Sequence, residues 1–237
     1  MARTRARKQH VQLDLADARA QTGRGGWRRN AGRKKKPGAI SHGTRPEHRA
    51  YHPEHVTLRL ADGAPSLARD YLMKLIRKVI AESHKADFRI NEFNVLDNHL
   101  HLIVEAASKL TIARGVQGFA VRLVKRVNAT LKRTGKLFAH RYHARALRTP
   151  RQVFNTLRYV LFNRKHHAAE KRFSKYWVDP YSSGPWFAGW AEPISRHAWM
   201  VQDLVGTASP TKPATLWLLT TGWKQQHGLL RFDDAPA

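Results

Sequence analysis

Along the middle of this chain the spacing of apolar residues switches between a period of two and a period near 3.6, and the switches outline seven elements. His55 to Leu60 (HVTLRL) is short and rich in β-formers, which predicts a strand. The turn residues ADGAPS follow. Leu67, Tyr71, Leu72, Leu75, Ile76, Val79 and Ile80 then recur at helical spacing, with Ser66 as the expected cap and Asp70 in the first turn. This helix is expected to run to about Ala86. Phe88 to Leu96 alternates imperfectly but reads as a strand, and Asp97-Asn98 is turn chemistry. His99 to Ala106 alternates clearly: Leu100, Leu102 and Val104 point one way, His99, His101 and Ile103 the other.

A second helix is expected from Leu110 to Arg133, with a stripe of Ile112, Val116, Phe119, Leu123, Val127 and Leu131, and Gly135 ends it. A strand is expected over His143 to Arg148. Thr149-Pro150-Arg151-Gln152 then combines a Thr cap, Pro at the first helical position and Gln three residues after the cap. That third helix runs from Pro150 to about His167. The order β-α-β-β-α-β plus a helix predicts an α+β fold of the ferredoxin-like, split β-α-β type. Its four-stranded antiparallel sheet carries helices on one face, and a C-terminal helix is added.

Charge changes the picture. Lys plus Arg number 43 against 17 Asp plus Glu, a formal charge of +26. The net is +11 over residues 1–50, +15 over 51–190 and zero over 191–237. Such a balance points to a polyanionic partner, nucleic acid first. The chain has no Cys, which excludes disulfides, Cys-ligated zinc and a thiol nucleophile. No apolar run approaches the ~18 residues of a membrane span, and the expected setting is cytoplasmic and nucleoid-associated. Three parts are expected: a basic, disordered arm at 1–44, a catalytic domain at 45–190, and an extension of unknown role at 191–237. Residues 21–37 (QTGRGGWRRNAGRKKKP) typify the arm: Gly-rich, basic and without apolar periodicity, either a phosphate-binding arm or a solvated tail.

Two groups of residues are candidates for chemistry. His99 and His101 project from one face of a strand and can share a metal ion. With 14 His in the chain, about one such pair is expected by chance, so a pair of structural histidines is the competing reading. On the third helix Thr156, Tyr159, Asn163 and His166 share the face opposite Val153, Leu157, Val160 and Leu161. Tyr159 and Asn163 are neighbours one turn apart; the plainer reading is a ring that packs and a hydroxyl that meets water.

Taken together, these segments resemble one family. Asp97 to Glu105 (DNHLHLIVE) resembles the NHxHLhhE segment of single-tyrosine HUH transposases, and in particular of their REP-associated tyrosine transposase branch. Gly135 to His143 (GKLFAHRYH) is similar to that branch's segment before the last core strand. Leu157 to Asn163 (LRYVLFN) is similar to its catalytic helix, and Asp179 to Phe187 (DPYSSGPWF) to the segment after it. The resemblance covers about residues 45–190 in the same order. It departs at Arg164, where many relatives carry Pro, so the helix is expected to extend a few residues further.

The resemblance implies that His99, His101 and Asn163 hold a divalent ion, magnesium or manganese, and that Tyr159 is the nucleophile. It implies metal-dependent cleavage and strand transfer of single-stranded or hairpin DNA through a 5′-phosphotyrosine, by a monomer or homodimer without membrane association. No general base stands out in the sequence. Arg122, Lys125, Arg126, Arg145 and Arg148 are the expected phosphate contacts. Tyr142, between His140 and His143, is a lesser candidate because it precedes the strand. The rivals are a non-enzymatic nucleic-acid binder derived from such a transposase, or of the RRM type, and a hydrolase that uses activated water and needs no Tyr159.

Overall fold

The computed structural model describes residues 47–167, 173–174, 176–194 and 198–234. The basic arm lies outside the described residues. The elements are β1 (Glu54–Arg59), α1 (Asp70–Ala81), β2 (Phe88–Val95), β3 (His99–Ala106), α2 (Lys109–Thr130), β4 (His143–Ala146) and α3 (Pro150–His167). A widened turn at Leu218–Gly222 then leads into a short α4 (Trp223–His227).

The four strands form one sheet in the order β2-β3-β1-β4, every neighbouring pair antiparallel. This is the order a split β-α-β arrangement requires, because each helix connects strands that have a third strand between them. Strand alternation then gives the sheet two different faces. Val56, Leu58, Phe93, Leu100, Leu102 and Val104 turn to α1 and α2, where Leu72, Ile76, Val79, Val116, Phe119 and Leu123 complete a closed core. Each of these buried side chains contributes about 1.5–3 kcal/mol of transfer free energy.

The helix α2 approaches β2 closely at Gly115, where an added Cβ would overlap the ring of Phe88, itself fully buried. Gly115→Ala is therefore expected to destabilise the fold by about 1–3 kcal/mol through overpacking, despite alanine's better helix propensity. A denaturant melt that moved the midpoint upward would contradict this packing.

The opposite face carries the imidazoles, and α3 lies across it. Ile103, the apolar residue on that face of β3, packs with Val153, Leu157, Val160, Leu161 and Phe162. The start of α3 is capped: the Gln152 N–H donates to Thr149 Oγ1 at 3.2 Å. Gln152 Oε1 in return accepts from the Arg148 N–H at 2.7 Å, one residue before the cap.

The chain after α3 covers that helix on its outer side. Trp223 is buried with Leu218, Leu219 and Leu230 against α3. Arg158 Nε donates to the Asp234 carbonyl at 2.6 Å. Glu105, buried at the end of β3, accepts from the Thr215 N–H, the Thr215 hydroxyl and the Leu216 N–H, each at 2.9 Å. A carboxylate holding that many donors is a strong tether. It gives the last residue of the DNHLHLIVE segment a structural task.

Several boundaries differ from the sequence expectation. Ser66 does not cap α1: its hydroxyl donates to Asp97 Oδ1 at 2.6 Å, and extended Arg69 occupies the cap position. That helix stops at Ala81, where the Glu82 N–H still bonds to Lys78 and the Ser83 N–H shifts to Ile80. The left-handed residue nearest the end of α2 is Lys132 (φ 48°), ahead of Gly135 (φ 89°). Strand β4 ends at Ala146, and buried Leu147, whose N–H still donates to the Pro53 carbonyl, joins the cluster under α3.

Candidate functional site

Sheet register builds the site floor. His101 of β3 stands between Thr57 of β1 and Asn94 of β2 on one face, His99 stands opposite Arg59, and Ile103 between His55 and Glu92. The rings of His99 and His101 lie 4.6 Å apart, centroid to centroid. Helix α3 then lays Tyr159 against His101 and His55, its ring 5.0 Å from that of His101 and 6.0 Å from that of His55. His101 thus touches both the neighbouring imidazole of its own strand and the ring of Tyr159.

The imidazole protons are constrained by their neighbours. His99 Nδ1 faces Asn98 Oδ1, a carbonyl oxygen, so that nitrogen donates, and in the neutral ring the lone pair lies on Nε2. His101 Nδ1 lies 3.0 Å from His55 Nε2 and 3.2 Å from Thr57 Oγ1. Burial, reinforced by His143, Arg145 and His99, pushes the His55 pKa down to about 4, so this ring stays neutral at physiological pH.

Asn163 lies one turn beyond Tyr159. It is fully buried, and neither its Oδ1 nor its Nδ2 has a hydrogen-bond partner. A buried amide in that state costs free energy unless something else uses it. Among the described residues no three His, Cys, Asp or Glu side chains form a metal cluster. A site on His99 and His101 would therefore take its third protein donor from an amide or phenol oxygen. Two imidazoles and an amide oxygen are a borderline donor set that suits manganese at least as well as magnesium.

Beside the site, buried Asp179 joins α3 to β2. Its carboxylate accepts from Asn94 Nδ2 and the Tyr181 N–H, both at 2.9 Å, and Arg164 Nε lies 3.7 Å away. Burial raises the Asp179 pKa to about 6 against the opposing pull of Arg164 and the two hydrogen bonds. Arg164 also covers the ring of Tyr181 and donates to the Val95 carbonyl at 3.3 Å. At the position where many relatives carry Pro, Arg164 thus fastens the end of α3 to its surroundings, and the helix continues to His167.

Glu92, on the same face, accepts a hydrogen bond from Ser183 Oγ. Its pKa is pushed up to about 8 by burial, with the serine bond opposing. The native state therefore holds an extra proton between the ordinary 4.5 and about 8, and stability is lost as pH rises through that window. Melting temperatures of the wild type are expected to fall between pH 5 and 8 by more than those of Glu92→Gln. Equal slopes would contradict that burial.

Of the expected phosphate contacts, Arg145 on β4 is exposed and pairs in register with His55. Arg148 borders a cleft of about 410 Å³ together with Arg145, His143 and Gln152. Arg122, Lys125 and Arg126 sit elsewhere, on α2 in the helical layer behind the sheet. Arg122 donates to Ser83 Oγ at 3.2 Å, and Arg126 pairs with Glu82. Tyr142 packs against the core on the α1/α2 side. Sequence reasoning misses His55, Asn94 and Asp179. The signal for His55 is present: His55 and Thr57 alternate with Val56 and Leu58, which marks a polar face on β1.

Comparison with known proteins bears on the family and the fold. The family described as "Transposase IS200 like" matches residues 55–163, a span that opens at His55 and closes at Asn163. Among solved structures the chain is similar to a REP-associated tyrosine transposase bound to a REP hairpin, at 16% identity and a TM-score of 0.51. That match covers 74% of this chain and 99% of the other, and it establishes the fold. A second solved structure, of a transposase from Deinococcus radiodurans R1, matches at 14% identity and a TM-score of 0.34, over 50% of this chain and 93% of that one. No curated protein gave a significant match. Among the described residues no helix is long and apolar enough to cross a membrane.

Proposed function

Given that residues 55–163 form a domain of the IS200-like transposase family, we propose that this chain cleaves and rejoins single-stranded DNA through a covalent bond to Tyr159. The observation that carries the reading is the contact of the Tyr159 ring with His101, whose ring in turn meets that of His99. Tyr159 Oη attacks a backbone phosphorus, a new O–P bond forms, and the bond from phosphorus to the 3′-oxygen breaks. The phenolic proton passes to solvent or base, and the leaving 3′-oxygen takes up a proton. The products are a 5′-phosphotyrosine and a free 3′-hydroxyl. The phosphodiester energy stays in the covalent bond, so attack by a second 3′-hydroxyl reverses the step without a nucleotide cofactor.

His99, His101 and Asn163 are the residues that would hold a divalent ion, which when bound supplies Lewis-acid polarisation of a phosphate oxygen. The lone pair on His99 Nε2 and the unpartnered amide of Asn163 fit that task. Arg145, in register with His55 on the neighbouring strand, and Arg148, which shares a cleft with Arg145, would take backbone phosphates of the bound strand. The relative solved with a REP hairpin makes hairpin DNA with a single-stranded flank the first substrate to try.

The test is incubation of the full chain with end-labelled hairpin and unstructured oligonucleotides in manganese or magnesium, followed by denaturing electrophoresis. A labelled protein band that resists detergent is expected. Cleaved DNA with no protein-linked product would point to a water-using hydrolase. Binding without cleavage on every substrate would point to a non-enzymatic binder.

A further inference from the structure

We propose that His55 is a positioning residue for His101: its Nε2 accepts the His101 Nδ1 proton, which leaves the lone pair on His101 Nε2 for a divalent cation. The inference rests on the reading above and extends it to a residue outside the proposed ligand set. Four observations carry it. The two nitrogens are 3.0 Å apart, a distance at which one proton lies between them. The rings are 5.0 Å apart and tilted by 33°. The contact is fixed by the sheet, because His55 opposes Ile103 and so lies diagonal to His101 on the same face. His99, the other proposed ligand, has a matching partner, since its Nδ1 faces Asn98 Oδ1.

The pair has only two neutral arrangements. In one, His101 carries its proton on Nδ1, His55 Nε2 accepts it, and His101 Nε2 keeps its lone pair. In the other, His55 donates, the His101 proton moves to Nε2, and that nitrogen can no longer ligate. A cation on His101 selects the first arrangement, and the acceptor makes the ligand more basic and fixes its ring. Thr57 Oγ1, 3.2 Å from the same nitrogen, can donate or accept and follows either state.

Manganese binding to the full-length protein, followed by electron paramagnetic resonance of the free ion, tests this without any turnover. His55→Phe keeps a ring and removes the acceptor; affinity should fall about 10- to 100-fold. His55→Gln places an amide oxygen near the former Nε2 and should stay close to wild type. Nitrogen-15 spectra of the imidazoles give a second readout: His101 should be protonated on Nδ1 in the wild type and shift toward Nε2 in His55→Phe. Wild-type affinity in His55→Phe, while His101→Ala binds no manganese, would overturn the inference and leave the proposed function standing. His101→Ala binding as well as wild type would remove both. Equal weakness of the Gln and Phe variants would also overturn it, because ring packing alone would then explain the loss. If His55→Phe does not fold, the wild-type spectrum decides: His101 protonated on Nε2 overturns the inference, and His101 protonated on Nδ1 supports it.

Discussion

Tyr159→Phe is expected to eliminate covalent capture of DNA while leaving DNA binding and the melting temperature close to wild type. The phenyl ring keeps the contacts that Tyr159 makes with the His101 and His55 rings and with the cluster under α3. Only the hydroxyl is lost, and with it the atom proposed to form the O–P bond. The adduct should drop to background on a denaturing gel with every divalent ion tested. Tyr142→Phe should have no comparable effect, because Tyr142 packs on the other side of the sheet. Residual strand cleavage at the wild-type rate in Tyr159→Phe would mean that water, not this phenol, attacks the phosphorus.

The second large effect is expected at the histidines proposed to hold the divalent ion. His101→Ala removes an imidazole that is 3% exposed and touches His55, Thr57 and Tyr159 at once. Cleavage should fall to background in the variant, and chelation should do the same to the wild type, with recovery on adding manganese. Gel-shift affinity for a hairpin at fixed salt should change little, since the proposed phosphate contacts of Arg145 and Arg148 are untouched. His99→Ala should behave alike, and Asn163→Ala should move metal saturation to higher concentration before it weakens binding of DNA. Full activity of His101→Ala in a chelator would exclude these residues from the chemistry.

Much of this architecture can be read from the chain because local signals agree with one another. The alternation in HLHLIVEA places both imidazoles on one face, and the Thr-Pro-x-Gln start marks the first turn of α3. What periodicity leaves open is which face of the sheet α3 covers. Ile103 decides it: as the apolar residue beside the imidazoles, it gives α3 something to pack on. The helix's polar side then lies over the histidines. The helical wheel of α3 also misleads, because Phe162 is buried with Leu218, Leu219 and Trp223 once the chain after α3 folds back over it.

Residues that act through tertiary contacts are the least legible. Asp179 reaches Asn94 and Arg164 across long sequence separations, and no local pattern signals such a cluster. On α2, Arg122 hydrogen-bonds Ser83 and Arg126 pairs with Glu82 at the end of α1, contacts that the composition of the basic stripe does not signal. Ser66 has cap chemistry but meets Asp97 instead, a contact set by the sheet rather than by its own helix. In each case the competing partner lies outside the window over which propensity acts.

Protease mapping of the DNA-linked protein identifies the attacking residue itself. After reaction with a short oligonucleotide, tandem mass spectrometry of the adduct should place a 5′-phosphonucleotide on Tyr159, in the peptide that also contains Asn163. The same mass on Tyr142 or another residue, or cleaved DNA with every tyrosine unmodified, would contradict a Tyr159 nucleophile.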